Sequence, residues 1–483
     1  MPQRPARLLS AAFIAAGVIA LTTSTSGRGQ QPVPVVTSPL SPPVGGKLPV
    51  PAVPPAPPAA IALPSPNYVV GKAAQPKDEL DKYADPIPDL PALDESGREL
   101  SLGECIAIAV ERHPAIKAAQ ASLNATQAGS QSLQNFGTVG TLISPDLEIR
   151  KQQAQRGLTA SAAEYQRAYN EVVQDVTRMY YTAVYARQQE AVARSIIPPL
   201  RLYIRAARAL IDTEPDPTKL EGLSPEKIGA MRIGLRTALD KQVQAQLGYK
   251  RALAALRQAM GVSEQNFNIR PRDSELPVME QTKEITKELV VNLAVERRPE
   301  LALAAAGLDA FRLEVYAQAK IPFKRVVPTF ASGSDLHAKD VPSAMRGKEY
   351  RPGGVGPEMP PQLVGSKYDR VCRAMAFSQR AEAVYESARG LVTLEAENGY
   401  YEFEQAGEKL RLAKESLDIG LEIQKRIRDR APLVKAKDQL VQAEVLAANA
   451  QAAYVEAVWE HLLALGALER ITAGGIRPAF PGR

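Results

Sequence analysis

The hexapeptide Ala-Val-Glu-Arg-His-Pro at residues 109–114 returns as Ala-Val-Glu-Arg-Arg-Pro at residues 294–299. The register that aligns Pro114 with Pro299 also places Ala125 on Ala310, with no insertion or deletion between them. Shared helical composition alone does not explain a matched proline in unbroken register. A duplicated helical unit indicates that each copy buries its apolar face against the other. The sequence therefore predicts a tandem helical-hairpin protein.

Each half of the duplication reads as two short helices followed by a long helix and its return helix. A proline fits the first position of a helix, and it lacks the amide donor that would continue a preceding helix. Pro114 and Pro299 therefore mark the start of the second helix in each half. Gly222 marks the turn into the first return helix, and Gly261 and Gly466 are expected to close the two return helices.

The first long helix carries a coiled-coil seam. From Tyr165 to Ala183, apolar residues follow one another at spacings of four and three, the period of helices that pack side by side. Pro198-Pro199 lies further along the same helix, so we expect a kink or a split there. The second half repeats the order, with a long helix over about 371–428 and a return helix over about 434–465.

The residues before the duplication read as export and linker segments. Arg4 and Arg7 precede an apolar run from Leu8 to Leu21, which is typical of a secretory signal peptide and shorter than the roughly 20 residues of a membrane-spanning helix. The dense prolines that follow favour an extended chain that builds no core. We expect a signal peptide at 1–27, a Pro-rich disordered tether at 28–97, repeats at 98–270 and 271–470, and a tail at 471–483.

The composition argues against several classes of protein. The chain has 59 Lys and Arg and 53 Asp and Glu, a net charge of +6, and the two signs alternate along the helical segments. A nucleic-acid partner is therefore not expected. Three histidines and two cysteines lie without metal-ligand spacing, and no phosphate loop or nucleophile elbow is present. We expect neither a cofactor nor an enzymatic activity.

Four sequence pieces occur in a fixed order over residues 98–470, and most return in the second half. They are the opening at 100–106 with its turn at 109–114, the aromatic centre at 179–185 echoed at 398–403, Gly-Leu-Ser at 222–224, and the ending at 256–261 echoed at 462–466. In this order the pieces resemble the outer-membrane efflux protein family, the TolC-like exit ducts of Gram-negative export machines.

The resemblance implies an all-α dominated protomer of tandem long hairpins, with a short β part, that forms a coiled-coil α-barrel as a homotrimer. It implies a location in the outer membrane, in contact with its lipid, with a periplasmic extension. The implied partners are a periplasmic adaptor and an inner-membrane pump. The implied function is a passive conduit for small molecules, without a cofactor, in a multipart efflux or export system.

The resemblance also implies that the two hairpin turns lie at the closed, periplasmic end of the duct. Charge rings select solutes in a pore by sign. The candidate tip and constriction residues are the charged residues near the two turns: Asp212, Glu214, Asp216, Arg428, Asp429, Arg430 and Asp438.

Family members place two β-strands between the paired helices of each half, and the trimer closes them into a membrane barrel. A spanning strand needs about 9–11 residues, and residues 136–150 leave no room for two such strands. In the second insertion only residues 325–334 resemble a strand. An alternative therefore stays open: a periplasmic coiled-coil scaffold derived from such a duct that has lost its membrane barrel.

Overall fold

The computed structural model describes thirteen ranges of the chain, all within the compact unit Lys72–Arg483. These are residues 90–93, 96–136, 144–213, 225–262, 267–279, 285–321, 345–346, 349–350, 355, 360, 363, 365–430 and 437–483. The expected signal peptide, most of the expected tether and the strand-like residues 325–334 lie outside the described residues.

In its described residues, the first half contains a short strand, four helices and a second short strand. The elements are β1 (Arg98–Leu100), α1 (Leu102–Arg112), α2 (Pro114–Gln134), α3 (Leu147–Thr213), α4 (Pro225–Ala259) and β2 (Ile269–Pro271). The described part of the second half repeats the four helices, with two short strands before its first long helix. Its elements are α5 (Lys287–Arg297), α6 (Pro299–Lys320), β3 (Met345–Arg346), β4 (Glu349–Tyr350), α7 (Lys367–Arg430) and α8 (Lys437–Ile471). The expected all-α dominated fold with a short β part is confirmed.

The duplication is visible in the helix boundaries. Helices α1 and α5 are both 11 residues long, and each begins after a hydroxyl side chain that accepts an amide N–H of the first turn, Ser101 in α1 and Thr286 in α5. Each ends at a cap with nearly the same backbone, φ −63° and ψ 126° at His113 and φ −63° and ψ 125° at Arg298. Pro114 and Pro299 then start α2 and α6, as the sequence predicts.

The four long helices pack side by side in the order α4, α3, α8, α7, which places α4 and α7 at the two edges. Helix α6 packs against both α3 and α7, whereas α1 and α2 pack on α3 and α5 packs on α7. We call the end with the α3–α4 and α7–α8 turns the tips. The level where α4 and α8 end is the waist, and the end where α3 and α7 begin is the roots.

The main core lies at the waist. Tyr180 and Tyr181 of α3 are fully buried there with Leu468 of α8, and β1 pairs in parallel with β2 beside them. The Tyr180 hydroxyl donates to Asp273 Oδ2 at 2.8 Å, so the buried phenol is satisfied. These contacts join the first helices of the chain to its last one.

Of the kink or split expected at Pro198-Pro199, the split does not occur, because α3 runs as one helix from Leu147 to Thr213. The kink stays a prediction. Two interior prolines remove two amide donors and cost roughly 3 kcal/mol each. Pro198 is exposed, and so are Arg194 and Ser195, whose carbonyls lose those donors, so this side of the helix faces solvent. Ile197 and Leu200, buried on the opposite side, hold the helix in register with α4.

The expectation that Gly466 closes the second return helix is wrong, because Gly466 lies inside α8. The residue equivalent to Gly261 (φ 68°) is Ala473, the only described residue other than glycine with positive φ (46°). The same pattern of bonds closes both helices: Val262 N–H donates to Arg257 O at 2.9 Å, and Gly474 N–H donates to Glu469 O at 2.7 Å. The return helices α4 and α8 therefore align in the register that places Gly261 on Ala473.

The segment after α8 folds back onto the first helix. The Gly482 carbonyl accepts from the Gly103 N–H at 2.8 Å, and Phe480 packs against the Tyr181 ring with the centroids 5.5 Å apart. A Cβ on Gly103 would lie 2.6 Å from that carbonyl oxygen, so only glycine permits the approach. An ion pair between Arg483 and Glu469 fixes the returning segment to α8.

Among the described helices, none combines the length and the apolar character needed to cross a membrane.

Candidate functional site

The two hairpin tips lie beside each other. Val441, near the start of α8, packs in one apolar cluster with Ile204 of α3 and Leu235 of α4. Ile204 and Leu235 are both almost fully buried. The end of the first hairpin and the beginning of α8 therefore share a core.

Between the tips and the waist, aromatic and amide side chains join α3 to α8. The Trp459 ring stacks on the Tyr185 ring with the centroids 4.7 Å apart, and Trp459 Nε1 donates to Thr182 Oγ1 at 3.3 Å. Gln189 Nε2 donates to the Ala452 carbonyl at 2.8 Å. Burial, reinforced by Glu456 and Glu460, raises the pKa of the Tyr185 phenol well above its usual value. Tyr185 is therefore a neutral packing group and not an acid.

A cleft of about 400 Å³ lies between α3, α7 and α8 beside Trp459. Its charged lining residues are balanced in sign: Arg178, Lys409, Glu402 and Glu460. Lys409 Nζ donates to Glu460 Oε2 at 3.1 Å. Within the described residues, no group of three or more His, Cys, Asp and Glu could hold a metal ion. The cleft is a mainly apolar groove between hairpins, and its charged side chains are balanced in sign.

At the waist of the second half, four charged side chains form the waist quartet: Arg298, Glu300, Glu395 and Arg470. Arg298 donates to Glu300 from Nε at 2.8 Å and from Nη2 at 2.9 Å, and the same Nη2 lies 2.9 Å from Glu395 Oε2. Arg470 of α8 forms an ion pair with the other oxygen of Glu395. Three helices, α6, α7 and α8, therefore meet on one charge network.

Burial by itself would lower the pKa of the Arg298 guanidinium, but the carboxylates of Glu300 and Glu395 raise it overall. Burial would likewise raise the pKa of Glu300, but Arg298 lowers it overall. Both shifts favour the charged forms, the guanidinium of Arg298 and the carboxylate of Glu300. Breaking such a buried network is costly, because it leaves an uncompensated charge out of water.

The roots carry a second buried polar network. Arg150, near the start of α3, donates from Nε to Asp146 Oδ2 at 2.8 Å and forms an ion pair with Glu314 of α6. Gln153 Nε2 donates to Glu314 Oε2 at 2.8 Å. Burial would lower the pKa of Arg150, but Glu314 and Asp146 raise it overall. The network joins the start of α3 to the end of α6.

We compared the chain with known proteins. No family model matches it, and no curated protein matches it by sequence. Solved structures match over most of its length. The open-state MtrE outer-membrane channel of Neisseria gonorrhoeae is 17% identical, over 78% of this chain and 89% of that one, with a TM-score of 0.58. The outer-membrane channel OprN is 16% identical, over 86% of this chain and 99% of that one, also at 0.58. CusC is 11% identical, over 79% and 96%, at 0.55.

The chain has the fold of the TolC-like outer-membrane channels. The resemblance suggested by the four sequence pieces is confirmed at the level of the fold, and identities of 11–17% make this a divergent example of it. The likeness covers 89–99% of the three solved chains, so nearly the whole of each is matched.

In this TolC-like fold, the predicted tip residues lie partly within the described residues. Asp212 and Asp429 are exposed near the ends of α3 and α7. Arg428 Nη2 donates to Glu444 Oε1 of α8 at 3.5 Å, across the second turn. Arg430 and Asp438 lie at the end of α7 and near the start of α8, but their side chains, like Glu214, Asp216 and Gly222 as a whole, lie outside the described residues. Any role of these residues in a constriction stays a prediction.

Sequence reasoning missed Glu444 and both buried networks of this chain. Glu444 lies beyond the second turn from Arg428, so only the positions of that turn and of the following helix reveal the pair. The networks join residues that are distant along the chain, such as Arg298 and Arg470. One signal was available: each half has an arginine at the fourth residue of its long helix, Arg150 and Arg370.

Proposed function

We propose that this chain is the outer-membrane exit duct of a multipart efflux or export system, through which small molecules pass without chemistry. The observation that carries the proposal is the shared fold, at TM-scores of 0.58, with two outer-membrane channels over 78% and 86% of this chain. Nothing in the described clefts offers a catalytic arrangement that would favour an enzyme.

The two edges of the helical layer support assembly into a ring. Ile233 on the edge helix α4 is 70% exposed, and Leu412 and Ile419 on the edge helix α7 are 53% and 59% exposed. Leu412 and Ile419 are two helical turns apart, on one face of α7. Two different apolar edges that meet between copies make a head-to-tail interface, which forms a ring when the rotation between copies closes. A homotrimer is the ring that we propose.

The position of the tips supports contact with other components of the machine. The exposed Asp212, Arg428 and Asp429 lie at one end of the layer, where a periplasmic adaptor and an inner-membrane pump would approach. The opposite end would face the outer membrane and its lipid. The proposed route to this location is export by the segment at 1–27, followed by cleavage.

Membrane fractionation of the native protein, with carbonate and then detergent extraction, tests the location. We expect recovery with the outer membrane and release only by detergent. Release into the soluble periplasmic fraction would overturn the duct and favour the scaffold alternative.

The mass of the detergent-solubilised protein tests the ring. We expect three copies per particle, and we expect Ile233→Glu and Ile419→Glu each to reduce it to one copy, because a buried carboxylate at either edge has no partner. The matched control is Leu446→Glu on α8, an inner helix of the layer, which is 50% exposed. A monomeric wild-type protein at micromolar concentration would contradict the proposal.

A further inference from the structure

Arg150 and Arg370 occupy the same place in the two halves. Each is the fourth residue of its long helix, and the register that aligns them also places Tyr180-Tyr181 on Tyr400-Tyr401. Both are buried, at 7% and 3% relative exposure. Buried arginines are rare unless they are paired, so each needs a set of acceptors.

Arg370 joins the two ends of the segment between α6 and α7. Its Nη2 donates to the Ile321 carbonyl at 2.8 Å, just after α6, and its Nη1 donates to the Gly365 carbonyl at 2.9 Å, just before α7. Its Nε donates to Gln318 Oε1 of α6 at 2.8 Å. Each of the three nitrogens of the planar guanidinium, which we call the fork, thus donates to a different acceptor. A lysine has a single nitrogen and could not span the same three positions.

Both arginine side chains contact helix α6. Gln318 Nε2 donates to Glu314 Oε1 at 2.6 Å, and Glu314 is the carboxylate that pairs with Arg150. A continuous chain of contacts therefore runs from Arg150 through Glu314 and Gln318 to Arg370. It links the first turn of α3 to the first turn of α7.

The duplication shows that this arrangement is asymmetric. In the register that aligns Pro114 with Pro299, the α2 positions equivalent to Glu314 and Gln318 hold Gly129 and Leu133, which offer no side-chain acceptor. The two halves therefore share one relay on α6, the helix that precedes Arg370, and Arg150 finds no equivalent acceptors on its own preceding helix α2.

We propose that Arg150, Glu314, Gln318 and Arg370 form a root clamp, one cooperative unit that sets the position of the start of α3 relative to the start of α7. The root clamp goes beyond the proposed function, because it depends on neither transport nor assembly. Its role is positioning: when either arginine is removed, the Glu314–Gln318 relay is released, and the contact of the other arginine weakens with it.

A double-mutant cycle on the full-length protein in one detergent tests the coupling. We expect Arg150→Gln and Arg370→Gln each to lower the Tm by roughly 5 °C. The double variant should fall by clearly less than the two shifts added, because the second substitution removes a contact that the first has already weakened.

A matched control lies on the same helices. Arg156 of α3 and Asp309 of α6 form an ion pair at 3.3 Å, with side chains 50% and 41% exposed. Arg156→Gln should shift the Tm little, and its shift should add to that of Arg370→Gln, because an exposed pair contributes little and shares no partner with the clamp.

A distance measurement separates positioning from mere stability. Spin labels are placed at Gln152→Cys near the start of α3 and Lys367→Cys at the start of α7, both exposed, in a Cys372→Ser background, because Cys372 is the exposed native cysteine. We expect the distance distribution between the labels to broaden in Arg150→Gln and in Arg370→Gln at temperatures where both are folded, and not in Arg156→Gln.

Two results would overturn the clamp: Tm shifts of the two arginine variants that add, or a distance distribution that both variants leave unchanged. If either glutamine variant fails to fold, Arg150→Lys and Arg370→Lys replace them in the same cycle. These retain the charge and lose the fork, and the same coupling and the same broadening are expected of them.

Discussion

At the waist, the first-half turn at His113–Pro114 and the second-half turn at Arg298–Pro299 share their backbone but not their chemistry. In the registers that align the helices of the two halves, the waist quartet Arg298, Glu300, Glu395 and Arg470 corresponds to His113, Ala115, Asp175 and Gln258. The quartet is buried or nearly so, whereas Asp175 is exposed and the His113 ring accepts the Ala115 N–H at 3.2 Å.

The comparison of the two turns shows that their backbone conformation does not depend on the charges around them. A proline at the first helical position and a cap in extended conformation are common to both halves, and they suffice to form the turn. The charges instead determine which helices meet there. In the second half α6, α7 and α8 are joined through Glu395, and the first half has no equivalent buried network among its described residues.

The largest expected effect comes from the same change at the two equivalent acidic positions. Glu395→Gln leaves Arg298 and Arg470 without their shared carboxylate and should lower the free energy of unfolding by about 3–5 kcal/mol. Asp175→Asn removes an exposed charge and should cost less than about 1 kcal/mol. Urea unfolding followed by circular dichroism measures both. Equal losses would mean that the quartet adds no stability of its own.

A smaller effect is expected at the closing residues of the two return helices. Gly261→Ala places a Cβ 2.8 Å from the His113 Cα at positive φ, so the free energy of unfolding should fall by at least about 1–2 kcal/mol. Ala473→Gly at the equivalent position removes the same backbone strain and should raise stability by up to about 1 kcal/mol.

The signs of the two changes are the test, again by urea unfolding. A stabilised Gly261→Ala variant, or an Ala473→Gly variant that loses more than about 1 kcal/mol, would show that these residues do not close the two helices in the same way.

The smallest effect concerns pH. His461 of α8 corresponds to Tyr249 of α4 in the register that places Gly261 on Ala473, and both are buried. Burial lowers the pKa of the His461 imidazole below its usual 6.5. The unfolded chain then binds more protons than the folded chain, so stability is complete above about pH 6.5 and is lost as the pH falls from there through the folded pKa.

We expect the Tm of the wild-type protein to fall more between pH 8 and pH 5 than that of His461→Gln, which has no proton to bind. Thermal unfolding at a series of pH values measures the difference. Tyr249→Phe serves as the matched first-half control, and it should leave the pH dependence between pH 5 and pH 8 unchanged. Parallel curves for the wild-type protein and His461→Gln would contradict the assignment.

The sequence predicted the helices well because their signals are local. The prolines at 114 and 299, the unbroken register that follows them and the spacing of the seam all depend on neighbours along the chain. The prediction for Gly466 was wrong because the end of α8 depends on contacts between residues that are distant along the chain. Ala473 closes α8 because the following segment packs on Tyr181 and on α8, which a local pattern does not contain. Of the kink or split expected at Pro198-Pro199, the split does not occur, and here too the contacts that hold the helix together are with another helix, α4.

The candidate site was less predictable. The tip residues were selected by their charge and by the turns, and the contact from Arg428 to Glu444 requires the pairing of α7 with α8. The two buried networks depend on contacts between separate helices, and a one-dimensional pattern gives the residue types without their partners.

The return of the last described residues onto the first helix also has a mechanical consequence. A force applied at Gly97 would first load β1, which is bonded to β2 and lies directly before the helix whose first turn is bonded to Gly482. The load would therefore be shared between the first and the last segments of the folded body, and α1 would not peel away alone. Single-molecule pulling between residue 97 and residue 483 should then show one large unfolding step in place of a sequence of small ones.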